Sequence, residues 1–122
     1  MVWDVLMKRE EIFEYVKKQY GTVPEYLWEK SPESAVLWQK NGKWYAVLMQ
    51  VEKSKLGVED EGMVDIINLK CEPDMAGLLT QIHGFLPGYY MNKKYWLTVL
   101  LDGTVSEEKI LDSLDQSYDL ID

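Results

Sequence analysis

Residues 35–48 (AVLWQKNGKWYAVL) decide the fold, because they place two apolar runs on either side of Asn41-Gly42. The Asn-Gly dipeptide is the strongest short signal for a β-hairpin, since a two-residue type I′ turn needs two residues that tolerate positive φ. It predicts strands over Ala35–Gln39 and Lys43–Val51. The turn would pair Trp38 with Tyr45, Val36 with Val47 and Leu37 with Ala46. Both faces would then be largely apolar, as expected if helices or a partner cover them.

Helices are predicted at the two ends of the chain. Apolar residues recur at helical spacing over Lys8–Tyr20, and Gly21 supplies a stop. Ser106 is a good N-cap for a last helix. The apolar face of this helix would contain Ile110, Leu111, Leu114, Tyr118 and Ile121. An adjoining acidic stripe, which is typical of a solvated face, would contain Glu108, Asp112, Asp115, Asp119 and Asp122.

The middle of the chain adds one more helix and further strands. Glu72-Pro73-Asp74 opens a helix, because proline suits the first helical turn, and Gly84 would end it. Its apolar side would contain Leu78, Leu79 and Ile82. The rest divides into an irregular connection over Gly21–Glu33, a loop over Glu52–Gly62, a strand over Met63–Lys70, a loop over Phe85–Lys94 and a strand over Tyr95–Leu101.

These elements predict an α+β fold with two layers, an antiparallel sheet with helices packed on one face. The expected order is α-β-β-β-α-β-(β)-α. With 122 residues, the chain suits one domain over positions 1–122.

Composition narrows the function classes. A single cysteine, Cys71, cannot form an internal disulfide and is typical of a reducing compartment. No apolar run approaches the roughly 18 residues of a membrane span, and the first residues lack the basic leader of a secretory signal. We therefore expect a cytoplasmic protein without membrane association.

The charge is acidic and uneven. Thirteen Lys and Arg against 21 Asp and Glu give a net charge of −8, which opposes strong non-specific binding to nucleic acid. Asp102–Asp122 holds seven acidic residues and one base, Lys109. Two segments have the opposite balance. Trp38–Lys55 has four lysines against Glu52, and Tyr89–Trp96 has two lysines and no acid.

Neither catalysis nor a resident cofactor has a motif behind it. The only histidine is His83, and nothing in the sequence brings it to Cys71 to form a nucleophile and its base. One His and one Cys cannot build a zinc or iron–sulfur site alone. Gly-rich phosphate-binding motifs are also absent from the sequence. We expect no catalytic residues, no metal ligands and no cofactor.

Lysines beside aromatic rings point to nucleic acid, because single strands bind through phosphate contacts and base stacking. The expected phosphate contacts are Lys40, Lys43, Lys93 and Lys94. The rings expected to stack on bases are among Trp44, Tyr89 and Tyr90, and Asn92 is expected to bind nucleic acid beside them. If Lys53 and Lys55 joined them, six phosphate contacts would give a slope of about −5 for the logarithm of the binding constant against the logarithm of salt concentration on duplex DNA. Alternatively, Trp38, Trp44 and Trp96 are core residues and the lysines ordinary surface.

Five segments occur in an order that resembles a known family. They are Tyr20–Glu25 (YGTVPE), Gly42–Leu48 (GKWYAVL), Leu69–Pro73 (LKCEP), Pro87–Val99 (PGYYMNKKYWLTV) and Ser117–Leu120 (SYDL). The order is similar to the MmcQ/YjbR family of small bacterial proteins, from about Met7 to the C-terminus. The specific part of the match is the pattern Pro-Gly-Tyr-x-Met-Asn-Lys-x-x-Trp within Pro87–Trp96.

The resemblance implies a compact α+β domain related to the frataxin (CyaY-like) and secretion-chaperone folds, with a double-wing feature. The family is generally labelled DNA-binding, and the resemblance implies no catalytic residues. Tyr95 and Leu97 stand where members often have His and a polar residue, which makes this surface less polar.

Three hypotheses follow. The leading one is a non-enzymatic module that binds DNA weakly through the hairpin and the Tyr89–Trp96 loop. The second is a protein-interaction or chaperone-like adaptor, monomer or dimer, that uses an uncovered sheet face. The third, from the kinship with frataxin, is a metal-handling module that uses the acidic helix faces.

Overall fold

The computed structural model describes residues 8–57 and 61–120. Its elements are α1 (Arg9–Tyr20), β1 (Ala35–Trp38), β2 (Trp44–Glu52), a 3₁₀ turn (Lys53–Leu56), β3 (Met63–Lys70), α2 (Pro73–Leu79), β4 (Phe85–Pro87), β5 (Trp96–Leu100) and α3 (Glu107–Leu120). The α+β class and the predicted order are confirmed, with the optional strand present as β4. None of the helices in the described part of the chain is long and apolar enough to span a membrane.

All five strands form one antiparallel sheet in the order β1-β2-β3-β5-β4. A row of paired residues crosses it through Leu37, Ala46, Leu69, Leu97 and Pro87. Just beyond this row the strands end, and we call this end of the sheet the hairpin end. It comprises the tip Lys40–Lys43, Lys70 at the end of β3, and Lys93–Trp96 at the entrance to β5.

The hairpin loop has three residues, so the predicted two-residue type I′ turn is wrong. The N–H of Gln39 donates to the carbonyl of Lys43 at 2.8 Å, and the N–H of Gly42 donates to the carbonyl of Gln39 at 2.8 Å. Gly42 has φ +85°, whereas Asn41 keeps negative φ. A three-residue loop closed by a left-handed glycine is the next commonest hairpin connection, and glycine adopts that conformation without a steric penalty.

The longer loop changes the register beside it. Trp38 faces Trp44 and not Tyr45, and the register shifts between Leu37 and Trp38. This irregularity gives β2 one extra residue opposite β1, which is a β-bulge. Beyond the bulge, two predicted pairs are confirmed, namely Val36 with Val47 and Leu37 with Ala46.

Helices α1 and α3 pack on one face of the sheet. Ile12, Val16, Ile110 and Leu114 are almost completely buried in the main core cluster. Ser106 caps α3 as predicted, because its Oγ accepts a bond from the N–H of Lys109 at 3.2 Å. Ile121 and Asp122, predicted to lie on this helix, fall outside the described residues.

Asp115 connects the two helices. The hydroxyl of Tyr15 donates to both carboxylate oxygens of Asp115 at 2.9 Å, and the hydroxyl of Tyr20 donates to the same carboxylate. Tyr118 stacks on Tyr20, with ring centroids 3.8 Å apart. The predicted acidic stripe is therefore not simply a solvated face, because one of its members holds two tyrosines.

The opposite face of the sheet is covered by loops, so we call it the loop-covered face. Five residues on it are at most 2% exposed, namely Val36, Val47, Ile66, Asn68 and Thr98. Met91 packs on this face beside Val47, and Tyr89 packs beside Ile66. The loop that contains both residues is thus the cover of this face.

A buried polar pair, the Asn68–Thr98 clamp, holds this loop. The Thr98 hydroxyl donates to Asn68 Oδ1 and accepts from the N–H of Tyr89 at 2.9 Å. Asn68 Nδ2 donates to the carbonyl of Tyr89 at 3.1 Å. Buried polar groups need such partners, so the clamp and the loop stabilise each other.

The region from α2 to β4 differs from the prediction. Helix α2 ends at Leu79, and Leu78 and Ile82 are 63% and 43% exposed, so neither is a core residue. Only Leu79 of the predicted apolar side packs against the core. Phe85–Pro87, predicted as loop, pairs with β5 as an edge strand. Proline has no N–H to donate to a neighbouring strand, and an edge strand tolerates it because its outer side has no strand to bond to.

Replacing Asp115 by Ala should lower the free energy of unfolding by about 2–3 kcal/mol, because two tyrosine hydroxyls lose a charged acceptor. Urea denaturation measures the loss. Asp112→Ala, an exposed residue on the same helix, is the matched control and should cost less than about 0.5 kcal/mol. Equal losses in the two variants would contradict the role given to Asp115.

Four tyrosines should ionise late in the folded protein. Burial is the first cause that raises the pKa of Tyr15, Tyr20, Tyr45 and Tyr89, and the bond to Asp115 adds to it at Tyr15 and Tyr20. A raised pKa in the folded state gives stability that is complete below about pH 10 and is lost as pH rises through the folded-state values.

We therefore expect the free energy of unfolding to fall above about pH 10. Tyrosinate absorbance of the native protein should lag behind that of the protein in urea. Simultaneous ionisation of all eight tyrosines in the native protein would show that these rings are not shielded.

Thr98→Val keeps the shape of the side chain but removes its hydroxyl. It should cost about 1–3 kcal/mol of unfolding free energy, because buried partners in the clamp are left unsatisfied. Hydrogen exchange at the Tyr89 amide should also become faster. Thr104→Val, at an exposed threonine, is the control. Unchanged exchange at Tyr89 would mean that the clamp does not hold the loop.

Candidate nucleic-acid interface

The hairpin end carries five lysines from three segments of the chain. Lys40 and Lys43 belong to the hairpin tip, and Lys93 and Lys94 precede β5. Lys70, which no sequence pattern indicated, is the last residue of β3 and pairs with the first residue of β5. The antiparallel register thus places the four predicted lysines at the same end of the sheet, and Lys70 is a fifth lysine there.

These ammonium groups are not neutralised by neighbouring acids. Among residues 8–57 and 61–120, no carboxylate forms an ion pair with Lys40, Lys43, Lys70 or Lys94. The Lys93 ammonium donates to the carbonyl of Gly88 at 2.9 Å, inside its own loop. In a chain of net charge −8, the hairpin end is a local concentration of positive charge.

Tyr95 brings two of the lysines close to one ring. The ammonium groups of Lys70 and Lys94 lie 5.6 and 5.7 Å from its centroid. Lys70 is also 5.1 Å from the ring centroid of Trp96. Such contacts orient an ammonium group without using up its N–H donors. Since like charges repel, this arrangement favours an anionic ligand.

Two of the three predicted stacking rings are packed against the protein. Trp44 is half-buried and makes edge contacts with Trp28 and Trp38, at centroid distances of 5.8 and 5.7 Å. Tyr89 is half-buried against the loop-covered face. Tyr90, in contrast, is 80% exposed. It is the predicted ring most accessible to a ligand.

Tyr90 has an unusual backbone. Its φ is +59°, the only positive value at a non-glycine residue in the described ranges 8–57 and 61–120. Bulky residues rarely adopt this conformation, and strained backbone tends to occur at functional sites. Its ring lies 4.5 Å from that of Tyr89, tilted by 49°, so the anchored neighbour supports the exposed ring.

Asn92 shapes the loop. Its Oδ1 accepts from the N–H of Lys94 at 2.9 Å, and its carbonyl accepts from the N–H of Tyr95 at 3.1 Å. This is an Asx-type turn. Asn92 therefore positions Lys94 and Tyr95. Its side-chain oxygen and its backbone carbonyl both already accept hydrogen bonds within the loop.

Lys53 and Lys55 do not join the hairpin end. They lie in the 3₁₀ turn after β2, beyond the other end of that strand. At about 3.3 Å per residue, roughly 30 Å of strand separates Lys43 from Lys53. Lys53 and Lys55 therefore do not form one cluster with the four predicted lysines of the hairpin end.

Cys71 does not have the environment of an activated nucleophile. It lines a cavity of about 400 Å³ between β3, α2 and α3, and His83 is not among the lining residues. Burial raises the pKa of the Cys71 thiol, and the nearby charge of Lys70 opposes this only in part. Catalytic cysteines need the opposite shift.

The acidic helix faces do not converge on a cation site in the part of the chain that the structure describes. Within it, no group of three His, Cys, Asp or Glu side chains is close enough to hold a metal ion. Asp115 is already bonded to two tyrosines, and Asp122 lies outside the described residues.

Comparisons with known proteins agree with this fold. The YjbR family model matches residues 17–120, which include the whole hairpin end. The chain is 42% identical over 116 residues to YyaQ of Bacillus subtilis (strain 168), an alignment that covers 94% of this chain and 98% of that protein. It is 34% identical over 77 residues to YjbR of Escherichia coli (strain K12), with 62% and 65% covered.

A solved structure gives the same result. The crystal structure of a Pseudomonas syringae protein superimposes with a TM-score of 0.89 at 39% identity, and the match covers 93% of this chain and 98% of that one. The resemblance found in the sequence is thereby confirmed, and the chain belongs to the YjbR family.

Proposed function

We propose that the protein is a non-enzymatic module that binds nucleic acid weakly through the hairpin end and the loop beside it. The observation that carries this proposal is the set of five lysines at one end of the sheet of an acidic protein, none of which forms an ion pair with a carboxylate in the described ranges. The hairpin tip and the Gly88–Tyr95 loop would act as the two wings of the interface.

The roles divide by chemistry. Lys40, Lys43, Lys70 and Lys94 contact phosphates, because their ammonium groups keep N–H donors for a ligand. Tyr90 provides a ring for stacking, since it is 80% exposed. Few phosphate contacts and a net charge of −8 both limit affinity, which is why we propose weak binding.

The environment of Cys71 supports the absence of enzymatic activity. Its raised pKa and the position of exposed His83 outside its cavity leave it without an activating base. A buried reduced thiol also fits a cytoplasmic location, which we propose on that ground.

An adaptor that uses a sheet face receives less support. The loop-covered face is closed by Tyr89 and Met91, and α1 and α3 cover the other face. The outer edge of β1 is also occupied, because Val36 exchanges two backbone bonds with Glu25 at 2.8 and 3.0 Å. Strand addition would have to displace this segment.

The salt dependence of binding tests the proposal. Four phosphate contacts predict a log–log slope of about −3.6 on duplex DNA and about −2.8 on a single strand. The triple variant Lys40→Gln, Lys43→Gln, Lys94→Gln should bring the slope to about −1, because about one unit is lost per lysine. Fluorescence anisotropy between about 50 and 200 mM salt measures both slopes.

Lys109→Gln is the matched control. Lys109 lies in the first turn of α3, on the helix side of the sheet, where loss of a positive charge does not weaken the helix. Its slope should equal that of the unaltered protein. A failure to bind either form at 50 mM salt, or equal losses in the triple variant and the control, would refute the proposal.

A further inference from the structure

We infer that the interface takes single-stranded nucleic acid in preference to duplex, with one unpaired base stacked on Tyr90. This inference rests on the proposed function and adds the form of the nucleic acid. It depends on three features of Tyr90, namely its exposure, its backbone conformation and the anchoring of its neighbour.

The backbone conformation directs the ring outward. Tyr89 and Met91, the residues on either side, both pack into apolar clusters of the loop-covered face. Tyr90 stands between them at φ +59° and is 80% exposed. A left-handed conformation costs a bulky residue roughly 1–2 kcal/mol, and an exposed tyrosine gains little burial in return. The strain therefore points to a use for the ring outside the folded core.

The residue beside the ring is anchored to the buried clamp. Both the N–H and the carbonyl of Tyr89 are bonded to the clamp, at 2.9 and 3.1 Å, and Asn68 and Thr98 are fully buried. The backbone beside Tyr90 is therefore fixed before a ligand binds, which lowers the entropy lost on binding.

A charge lies in the same loop as the ring. Lys94, one of the four proposed phosphate contacts, lies four residues after Tyr90 and forms no ion pair with a carboxylate in the described ranges. A ring and an ammonium carried by one loop match the two parts of a nucleotide, a base and a phosphate. The structure thus offers both kinds of contact within one short loop.

Duplex DNA matches this arrangement less well. The faces of its bases are covered by neighbouring pairs, so stacking on Tyr90 would require a base to leave the helix at a cost of a few kcal/mol. A single strand presents unpaired faces without this cost. It also brings one backbone, and not two, towards a protein of net charge −8.

The experiment compares three labelled probes of about 12 nucleotides. They are a mixed-sequence single strand, its duplex, and the same strand with abasic sites in place of its central bases. Anisotropy titrations at low salt give each affinity for the unaltered protein. We expect the single strand to bind at least about tenfold more tightly than the duplex, and the abasic strand to lose most of that advantage.

Two variants test the ring itself. Tyr90→Asn removes the ring but suits a left-handed backbone, so the thermal midpoint should stay the same or rise. Its affinity for the single strand should fall roughly 5- to 100-fold, while its affinity for the duplex stays unchanged. Tyr90→Phe keeps the ring and should retain the affinity.

The outcomes separate the two proposals. If both probes bind with a salt dependence that the triple lysine variant reduces as predicted, but the duplex binds as tightly as the single strand, the inference is wrong and the proposed function stands. The same holds if Tyr90→Asn leaves single-strand affinity intact. If neither probe binds, the proposed function fails and the inference falls with it.

Discussion

One layer of helices has to serve a sheet with two apolar faces, and the closure of the second face governs the rest of the structure. Helices α1 and α3 bury one face. The other is closed by the Gly88–Tyr95 loop, whose backbone polar groups require partners when they are buried. The clamp supplies them to Tyr89. The loop can thus cover the apolar face because Asn68 and Thr98, in the middle of the sheet, bond to its backbone.

The candidate interface follows from that closure. The loop brings Tyr89 and Met91 inward, which leaves Tyr90 exposed between them, and it then turns at Asn92 to place Lys94 and Tyr95 beside Lys70. The segment that completes the core is therefore the same segment that carries the proposed contacts. Its anchoring comes from the same bonds that close the core.

Local signals predicted much of this structure. The Ser106 cap, the proline at the start of α2 and the apolar runs around Asn41-Gly42 each depend on neighbouring residues, and each gave an element in its correct place. The family pattern within Pro87–Trp96 also identified the loop. Four of the five lysines at the hairpin end were predicted, because they belong to those two segments.

The remaining features depend on contacts between distant parts of the chain. Lys70 was missed because nothing near it in the sequence shows that β3 ends beside Tyr95. Asp115 looked like any surface acid, since its two tyrosines lie about 100 residues away. Leu78 and Ile82 had helical spacing, yet Leu78 lies on the exposed side of α2 and Ile82 lies beyond the end of that helix. The strain at Tyr90 has no signature in composition or periodicity.

The extra residue in the hairpin loop has an effect deep in the protein. The bulge that compensates for it turns Tyr45 towards the helices, where its hydroxyl donates to Thr22 at 2.9 Å and its ring lies 5.0 Å from that of Tyr118. Tip length and interior packing are consequently one property. Side chains at the tip can be exchanged with little effect on the core, whereas insertion or deletion of a single position there would rotate an aromatic ring out of the protein interior.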